Sequence, residues 1–362
     1  MYRIILLILT LSLGSALTII PIEKNADEIC IRNDGKTGYC VHLRNCSAIS
    51  NMIARQSQGI SLSSDEITYI RNSKCPVHEK GYVCCEGKDK VLQGIQELPS
   101  QDCGKFEVDK VVGGKEIKIM SRPWMALLKF RRDDGKEGFT CGGTLIHKRY
   151  VLSAAHCFFG QQLLSVRLGE HNILLPMYCQ FTKGQVVCAP QAQDFEVDRV
   201  YVHEQYSQES RHNDIALVKL KSDAEFIPNI KPICLPVNET LQQNVETMPR
   251  FLVTGWGYTE TTNGSLVPLE TVVTAKNRTI CQESYERKIV PTQICAGDPG
   301  KDSCNGDSGG PLQFVDIYNG QQRFVQFGIV SYGSGHCGDG TPGVYANVGS
   351  YIPWIAYKIA TK

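Results

Sequence analysis

The sequence has no block of like charges. Its 38 lysine and arginine residues almost balance its 37 aspartate and glutamate residues, which leaves a formal net charge of +1 over 362 residues. Proteins that bind nucleic acid or an anionic membrane surface usually carry a basic run or face, because phosphates attract cations. The balanced charge gives no support to either kind of binding, so we expect neither nucleic acid nor membrane as a partner.

A long apolar run is also missing. Residues 4–13 are apolar but form a short run, whereas a membrane-spanning helix needs about 20 apolar residues. Arg3 precedes the run and the small residues Gly14-Ser15-Ala16 follow it, which is the pattern of a secretory signal peptide. We expect residues 1–16 to be a signal peptide and the protein to be secreted and extracellular, with a membrane anchor as the alternative.

Cysteine, in contrast, is abundant. Sixteen cysteines in a secreted chain indicate disulfides rather than a metal centre. Six of them lie within residues 30–85 and ten lie further along the chain. Four Asn-x-Ser/Thr sequons are candidate glycosylation sites in such a protein, at Asn45, Asn238, Asn263 and Asn277.

Residues 30–85 form a candidate small domain. Large apolar residues are few there, so disulfides would have to stabilise a small core. Ser63-Ser64-Asp65-Glu66 has the capping-box pattern and predicts a short helix over Ile67 and Ile70. Six cysteines allow many pairings, and their spacing alone does not select one.

Residues 86–110 are interpreted as a linker and activation segment. Residues 86–101 are polar, contain Gly87, Gly94 and Pro99, and show no clear periodicity, which favours a polar linker. Cys103 follows just before the next region.

The remaining sequence, residues 111–362, has the pattern of many short strands. Apolar runs lie between Gly, Asn and Asp turns at residues 124–128, 144–146, 150–152, 251–253 and 344–348. From Tyr351 to Ile359 the apolar residues have roughly helical spacing, with Pro353 near the start, which predicts a C-terminal helix.

Three short motifs place a histidine, an aspartate and a serine in that order. They are Ala154-Ala155-His156-Cys157, Asn213-Asp214-Ile215-Ala216-Leu217 and Cys304-Asn305-Gly306-Asp307-Ser308-Gly309-Gly310-Pro311. A serine hydroxyl is a poor nucleophile at neutral pH and needs a neighbouring imidazole to take its proton, while a carboxylate orients that ring. We assign Ser308 as nucleophile, His156 as general base and Asp214 as the orienting acid. Each motif alone could be a structural turn or the neighbour of a disulfide.

The order of the three motifs resembles that of the chymotrypsin-like serine proteases, over residues 111–362. We call these residues the protease region. The resemblance implies an all-β fold of two antiparallel six-stranded β-barrels with a C-terminal helix, and catalytic groups in the cleft between the barrels. It also implies an oxyanion hole made by the backbone N–H groups of Gly306 and Ser308.

Lys110-Val111-Val112-Gly113-Gly114 resembles the activation junction of the same family. The resemblance implies that cleavage after Lys110 frees the α-amino group of Val111, which pairs with Asp307 and orders the oxyanion hole. The chain would then be made as a zymogen. The family more often has isoleucine at position 111, and an ordinary linker lysine beside a glycine turn is the alternative.

The resemblance also places the primary specificity pocket. Asp302 would form its floor and favour a lysine or arginine side chain, while Gly333 and Gly343 would leave room in the walls. The backbone of Ser331-Tyr332-Gly333 would pair with the substrate as an added strand. These features indicate trypsin-type specificity, although the family usually has tryptophan where Tyr332 stands.

The cysteine pattern of residues 30–85, which ends in adjacent Cys84-Cys85 and precedes a protease, resembles the clip domain of arthropod proteases. We call these residues the clip region. A docking module for partners or cofactors is the implied role, and a passive spacer is the alternative. The family implies eight disulfides: Cys30–Cys84, Cys40–Cys75, Cys46–Cys85, Cys103–Cys234, Cys141–Cys157, Cys179–Cys188, Cys281–Cys295 and Cys304–Cys337.

No cofactor is expected to be required, and calcium is left open. Gly169-Glu170-His171-Asn172 matches the start of a loop that binds calcium in some relatives. Glu170 offers a carboxylate and Asn172 a neutral oxygen, whereas calcium usually takes several oxygens that include carboxylates. Tyr178 stands where clip-domain relatives often have aspartate.

Together these features predict a secreted clip-domain serine endopeptidase in an extracellular proteolytic cascade of arthropod immunity, melanization, Toll-type signalling or development. The resemblance implies protein substrates, such as a downstream zymogen, a prophenoloxidase or a cytokine precursor. It further implies an upstream activating protease and serpin-type inhibitors. A non-catalytic clip-domain adaptor and a digestive trypsin are the alternatives; the intact triad disfavours the first and the clip region disfavours the second.

Overall fold

The structure is a computed structural model. It describes residues 29–35, 37–43, 46–57, 59–75, 81–86, 88–99, 102–106, 115–182, 184–259, 262, 264–300 and 303–361. The expected signal peptide, the activation junction at Lys110 and Val111, the expected pocket floor at Asp302, and the sequons at Asn45 and Asn263 lie outside the described residues.

The clip region is a small antiparallel sheet with two helices. The strands β1 (Ile29–Ile31), β2 (Thr37–His42) and β3 (Tyr82–Cys85) pair in that order, and α1 (Ser47–Ser57) and α2 (Ser64–Asn72) lie between β2 and β3 along the chain. The expected capping box is present at the start of α2. The Ser63 hydroxyl accepts the Glu66 N–H, and the Glu66 carboxylate accepts the Ser63 N–H.

Eight disulfides join all sixteen cysteines. The pairs are those that the family implies: Cys30–Cys84, Cys40–Cys75, Cys46–Cys85, Cys103–Cys234, Cys141–Cys157, Cys179–Cys188, Cys281–Cys295 and Cys304–Cys337. Five of the six clip-region cysteines are buried. Sulfur therefore supplies much of the core of this region, as expected where large apolar residues are few.

The segment between the two regions contains a helix, which the lack of clear periodicity over residues 86–101 did not predict. The helix is α3 (Lys88–Glu97), and it packs on the C-terminal helix α6 (Ile352–Ala360). Val91 and Ile95 of this helix and Leu98, which directly follows it, are spaced as one helical face. This face is short and interrupted, so packing against α6 rather than intrinsic propensity stabilises the helix.

The clip region and α3 both contact α6. Gly94 of α3 lies so close to α6 that a Cβ on it would stand 1.8 Å from the Ala356 carbonyl oxygen. Tyr39 of the clip region stacks on Tyr357 with ring centroids 3.8 Å apart, and both residues are buried. The helix at the end of the chain therefore joins the two regions.

The first barrel of the protease region is a ring of six strands. After β4 (Lys115–Glu116) come β5 (Met125–Arg132), β6 (Glu137–His147), β7 (Tyr150–Ser153), β8 (Gln161–Leu168), β9 (Cys179–Thr182), β10 (Gln185–Cys188), β11 (Gln193–Phe195), β12 (Val197–Val202) and β13 (Ala216–Leu220). The sheet order is β11-β8-β5-β6-β7-β13-β12, while β9 and β10 form a separate hairpin. Because β11 and β12 are one strand interrupted at Glu196, pairing of β11 with β8 and of β12 with β13 closes the ring.

The second barrel also closes with six strands. These are β14 (Arg250–Gly255), β15 (Leu269–Lys276), β16 (Gln293–Ala296), β17 (Pro311–Tyr318), β18 (Gln321–Tyr332) and β19 (Gly343–Asn347). β14 pairs with both β15 and β17, which closes the ring, and β4 adds to the edge of β15. The expected pair of barrels with a C-terminal helix is confirmed, and Pro353 lies in the first turn of α6 as expected.

A buried polar chain joins the two barrels. The Trp124 indole N–H donates to the Gln313 side-chain oxygen at 2.8 Å, and the Gln313 amide donates to the Thr254 hydroxyl at 2.9 Å. That hydroxyl donates to Glu270, whose carboxylate also accepts two N–H groups of the Arg122 guanidinium at 2.7 and 2.8 Å. Since each member has a partner, the network holds the barrels in one relative position and thereby shapes the cleft.

Two short helices begin at the sequons that the structure describes. Asn238 caps α4 (Glu239–Asn244) and Asn277 caps α5 (Arg278–Ser284), each through its side-chain oxygen. Both asparagines are exposed, and the capping role leaves the side-chain nitrogen for a glycan, so glycosylation stays a prediction. Among the described helices, none is both long and apolar enough to span a bilayer.

Candidate active site

His156 is placed by the strand before it. β7 ends at Ser153, and the chain turns at once into a short 3-10 helix, Ala155–Phe158. The Cys141–Cys157 disulfide ties this turn to β6. The His156 side chain is 16% exposed, so part of the imidazole reaches the cleft while the rest is packed.

Asp214 lies in the turn before β13, and only 1% of its side chain is exposed. One carboxylate oxygen accepts the His156 backbone N–H at 2.8 Å. The other lies 2.8 Å from His156 Nδ1 and accepts the Ser331 hydroxyl at 2.5 Å. An ionised carboxylate only accepts, so Nδ1 carries the ring proton and Nε2 is left as the acceptor. The three donors offset the desolvation of the buried charge.

Ser308 lies in the loop that leads into β17. The backbone takes φ of +97° at Gly306 and +81° at Gly309, a region that favours glycine. The Ser308 carbonyl accepts the N–H of Gly142 at 2.8 Å, which ties this loop of the second barrel to the first barrel. Ser308 and His156 line the same cleft, of about 330 Å³. The described structure has no hydrogen bond between their side chains, and such bonds often form only when substrate is bound.

Two backbone N–H groups of this loop remain available. Those of Asp307, Gly309 and Gly310 donate to carbonyls at 2.8–2.9 Å. Those of Gly306 and Ser308 donate to no backbone carbonyl within the described residues. These are the two groups that the resemblance assigns to the oxyanion hole, and unpaired donors on either side of the nucleophile suit that chemistry.

Asp307 is held beneath the same loop. Its carboxylate accepts the N–H of Gly257 at 2.8 Å and that of Cys304 at 3.0 Å. A Cβ on Gly255 or Gly257 would stand 2.1–2.4 Å from carboxylate atoms, so glycine is needed at both positions. Desolvation raises the pKa of Asp307 to about 6, although the two backbone N–H groups oppose the shift. The residue as a whole keeps some exposure, and it is the carboxyl group that is enclosed.

The structure brings two of the four expected substrate-binding residues, Ser331 and Gly333, to the cleft. Ser303, Ser331 and Gly333 line it, and the Ser303 hydroxyl lies 3.1 Å from the phenol oxygen of Tyr345. Gly343 is buried at the start of β19 and is not among the cleft-lining residues. Asp302 lies outside the described residues, so its position as pocket floor stays a prediction.

Two roles near the cleft were missed in the sequence. Ser331 was selected for its backbone, but its hydroxyl also donates to Asp214. Arg211, which no motif singled out, lines the cleft with His156 and Ser308. The sequence offered only a weak signal for Arg211, namely a cation three residues before Asp214. The position of its loop beside the cleft follows from the fold.

The candidate calcium ligands already have partners. The Glu170 carboxylate accepts the His171 N–H at 2.8 Å and lies 3.3 Å from an Arg167 guanidinium nitrogen. The Asn172 side-chain oxygen accepts the Leu174 N–H at 3.1 Å. Tyr178 stacks on the His171 imidazole rather than offering a ligand carboxylate. The Glu170 and Asn172 side chains are thus already hydrogen-bonded within the protein, and calcium binding stays a prediction.

Comparison with known families matches both regions. Residues 111–355 match the family described as "Trypsin", and residues 30–85 match "Regulatory CLIP domain of proteinases". The first match spans the residues that form the cleft and by itself covers more than half of the chain.

Known relatives extend over nearly the whole chain. "Serine protease grass" of Drosophila melanogaster is 37% identical over 346 residues, covering 92% of this chain and 91% of that protein. "Spaetzle-processing enzyme" of the same organism is 35% identical over 358 residues, covering 89% of each. The solved structure "Crystal structure of drosophila Grass clip serine protease of Toll pathway" has a TM-score of 0.75 at 36% identity, covering 92% of this chain and 98% of that one. Since both regions are shared at this identity, the chain belongs to the clip-domain serine proteases of the trypsin family and is a serine endopeptidase.

Proposed function

We propose that this endopeptidase is made as a secreted zymogen and is switched on by cleavage after Lys110. It then cuts protein substrates after lysine or arginine in an extracellular cascade of immunity, melanization, Toll-type signalling or development. The single observation that carries the switch is the environment of Asp307. An enclosed carboxylate held by two backbone N–H groups is a site where a new cation would be strongly favoured.

The new cation would be the α-amino group of Val111. Cleavage after Lys110 creates it, and its pairing with Asp307 would stabilise the loop that carries Gly306 and Ser308. Glycine at 255 and at 257 accommodates the carboxylate itself, because a Cβ at either position would overlap it. A buried ion pair of this kind is formed in only one of two states, so proteolysis would act as the switch.

The chemical step then follows from the residues of the cleft. His156 Nε2 takes the proton of the Ser308 hydroxyl as its oxygen attacks the scissile carbonyl carbon. The oxyanion that forms would accept the N–H groups of Gly306 and Ser308. When the C–N bond breaks, the imidazolium gives its proton to the leaving amine. Water then hydrolyses the acyl-enzyme by the same route, with Asp214 stabilising the imidazolium each time.

The proposed specificity rests on Asp302 and the residues beside it. A carboxylate at the pocket floor would pair with the lysine or arginine side chain before the scissile bond. The Ser303 hydroxyl, 3.1 Å from the Tyr345 phenol, adds polar lining on the described side of the pocket. Arginine and lysine substrates should both be accepted.

The cascade role rests on the relatives. Their names and titles refer to the Toll pathway and to Spaetzle processing. By analogy, the substrate of this enzyme would be a downstream zymogen, a cytokine precursor or a prophenoloxidase. An upstream protease of matching specificity would cut after Lys110, and serpin-type inhibitors would end the activity.

The test compares the full-length precursor with Lys110→Gln and with Lys115→Gln, an exposed lysine close by that serves as the matched control. Each is treated with immobilised trypsin, which is removed before hydrolysis of fluorogenic peptides ending in arginine, lysine or phenylalanine is followed. We expect wild type and Lys115→Gln to gain activity on the two basic peptides and Lys110→Gln to stay latent. Full activity of untreated Lys110→Gln would show that cleavage after Lys110 is not the switch. Faster cleavage of the phenylalanine peptide would show that the pocket does not select a basic side chain.

A further inference from the structure

Arg211 places a cationic group in the substrate cleft. We propose that Arg211, with Arg287 beside it, forms a subsite that selects an acidic side chain at the second or the fourth substrate position before the scissile bond. The inference rests on the proposed cleavage after lysine or arginine and adds a second requirement on the substrate.

The backbone of Arg211 is firmly placed. It takes φ of +56°, which is uncommon for a residue with a Cβ. Its N–H donates to the Ser207 carbonyl at 2.8 Å, and its carbonyl accepts the Gln293 amide at 3.3 Å. Because β16 of the second barrel supplies Gln293, the loop of the first barrel is anchored across the cleft, and the direction of the Arg211 side chain is set by that anchor.

The guanidinium of Arg211 is incompletely satisfied. One terminal nitrogen donates to the Tyr206 hydroxyl at 3.0 Å, whereas the Nε–H is buried and has no hydrogen-bond partner. No carboxylate oxygen lies within 4.0 Å of the guanidinium in the part of the chain that the structure describes. The charge of the guanidinium therefore has no carboxylate partner among the described residues, and a substrate carboxylate would pair with it through a terminal nitrogen.

Arg287 adds a second positive charge at the same end of the cleft. Its Nε donates to the Glu209 carbonyl at 2.8 Å, which ties it to the loop that carries Arg211. Its guanidinium carbon lies 5.2 Å from the ring centroid of Tyr332, a cleft residue. Burial raises the pKa of Tyr332, and the positive fields of Arg287 and Arg211 both oppose that rise. Both arginines therefore act on the same point of the cleft.

The direction of the substrate indicates which of its residues meet these charges. An extended peptide that pairs with the backbone of residues 331–333 alternates its side chains between two faces. When the basic residue enters the specificity pocket, the residues two and four positions before the scissile bond share a face with each other. The Ser331 hydroxyl donates to Asp214, so this strand lies beside the paired side chains of His156 and Asp214. We place the acidic side chain at one of those two positions, facing Arg211.

The experiment uses full-length protein cleaved after Lys110, with Val111 confirmed as the new N-terminus. Four fluorogenic peptides share one arginine at the scissile bond and carry aspartate or asparagine at the second or the fourth position before that bond. The ratio of kcat/KM for each acid peptide to its amide partner is measured at low and high salt. We expect the acid to be favoured on the order of tenfold at one position, with the preference shrinking as salt rises.

Variants assign the preference to the two arginines. Arg211→Gln should bring the acid-to-amide ratio to about one, Arg211→Glu should invert it, and Arg287→Gln should lower it in part. Arg250→Gln, an exposed arginine at the start of β14, is the matched control and should leave the ratio unchanged. A ratio near one in wild type, or a preference that survives Arg211→Gln, overturns the inference. Failure to cleave any of the arginine peptides would instead count against the proposed function.

Discussion

At the scale of single residues, the two buried acids of the site have opposite surroundings. Asp214 accepts three hydrogen bonds, and one of the three donors is the His156 imidazole. Asp307 has two backbone N–H donors, and desolvation raises its pKa to about 6. Above that pH, Asp307 is charged in an enclosed position, which weakens the uncut chain. The same carboxylate is what the proposed new N-terminus would pair with.

Replacement of Asp307 by asparagine tests whether the buried charge of Asp307 destabilises the uncut precursor. The folded pKa of about 6 exceeds the ordinary value of about 3.9 for an unfolded aspartate. Between these values the folded chain holds a proton that the unfolded chain has released, so the free energy of unfolding falls as pH rises. We expect the Tm of wild type to fall by about 2–4 °C relative to Asp307→Asn between pH 4 and pH 7, as measured by calorimetry.

The control is Asp133→Asn, which removes an exposed carboxylate of a turn. Its Tm should follow wild type at every pH, and parallel curves for wild type and Asp307→Asn would show that Asp307 is not destabilised. After cleavage at Lys110, Asp307→Asn should have at least tenfold lower kcat/KM than wild type on an arginine peptide, on the order expected for a lost charge pair. Unchanged activity of Asp307→Asn would show that activation does not need the Asp307 carboxylate.

At the scale of elements, α3 depends on tertiary contact. The sequence around Gly94 is polar and carries a glycine at the centre of the helix, which costs about 1 kcal/mol relative to alanine. The apolar residues Val91, Ile95 and Leu98 do have helical spacing. Three such residues between Gly87 and Pro99 are too few to predict a helix from the sequence. The helix forms because its apolar side chains pack against α6.

The close contact at Gly94 gives a prediction in which two effects oppose each other. Alanine is the better helix former by about 1 kcal/mol, but its Cβ would stand 1.8 Å from the Ala356 carbonyl oxygen. Helices α3 and α6 would have to move apart, at a cost of about 1–3 kcal/mol. We expect Gly94→Ala to lower the Tm and to speed proteolysis within residues 88–97, since the overlap with backbone outweighs the propensity.

The matched control is Gln96→Ala, at an exposed position two residues along the same helix. It should keep or slightly raise the Tm. Equal or greater stability of Gly94→Ala would mean that α3 does not pack on α6 as closely as described.

At the scale of the whole molecule, two kinds of connection hold the clip region to the protease region. The Cys103–Cys234 disulfide is covalent and joins the chain before Lys110 to the protease region. The second connection is noncovalent and consists of the α3–α6 packing and the stack of Tyr39 on Tyr357. Cleavage after Lys110 would break neither, so the clip region should stay attached to the active enzyme.

Removal of the disulfide separates the two contributions. After cleavage at Lys110, wild type should run as one species in denaturing gels without reductant. The double variant Cys103→Ser, Cys234→Ser should run as two species in those gels and still elute as one in gel filtration, because the buried helix contact remains. Cys179→Ser with Cys188→Ser, which opens only the β9–β10 hairpin, should behave as wild type in both. Loss of the clip region from the first double variant in gel filtration would show that the noncovalent contact is too weak to retain it.

The sequence by itself determined the local and chemical facts: the residue types of the triad and their order, the capping box at Ser63, the apolar runs that became strands, and the C-terminal helix. Such features depend on neighbours within a few positions along the chain, and the disulfide pairs came from family resemblance. The tertiary structure alone decided that His156 and Asp214 lie 2.8 Å apart, that one strand interrupted at Glu196 closes a barrel, that α3 forms, and that Arg211 lines the cleft. These outcomes depend on packing between residues far apart along the chain, where the distance is set by the whole core and by no local pattern.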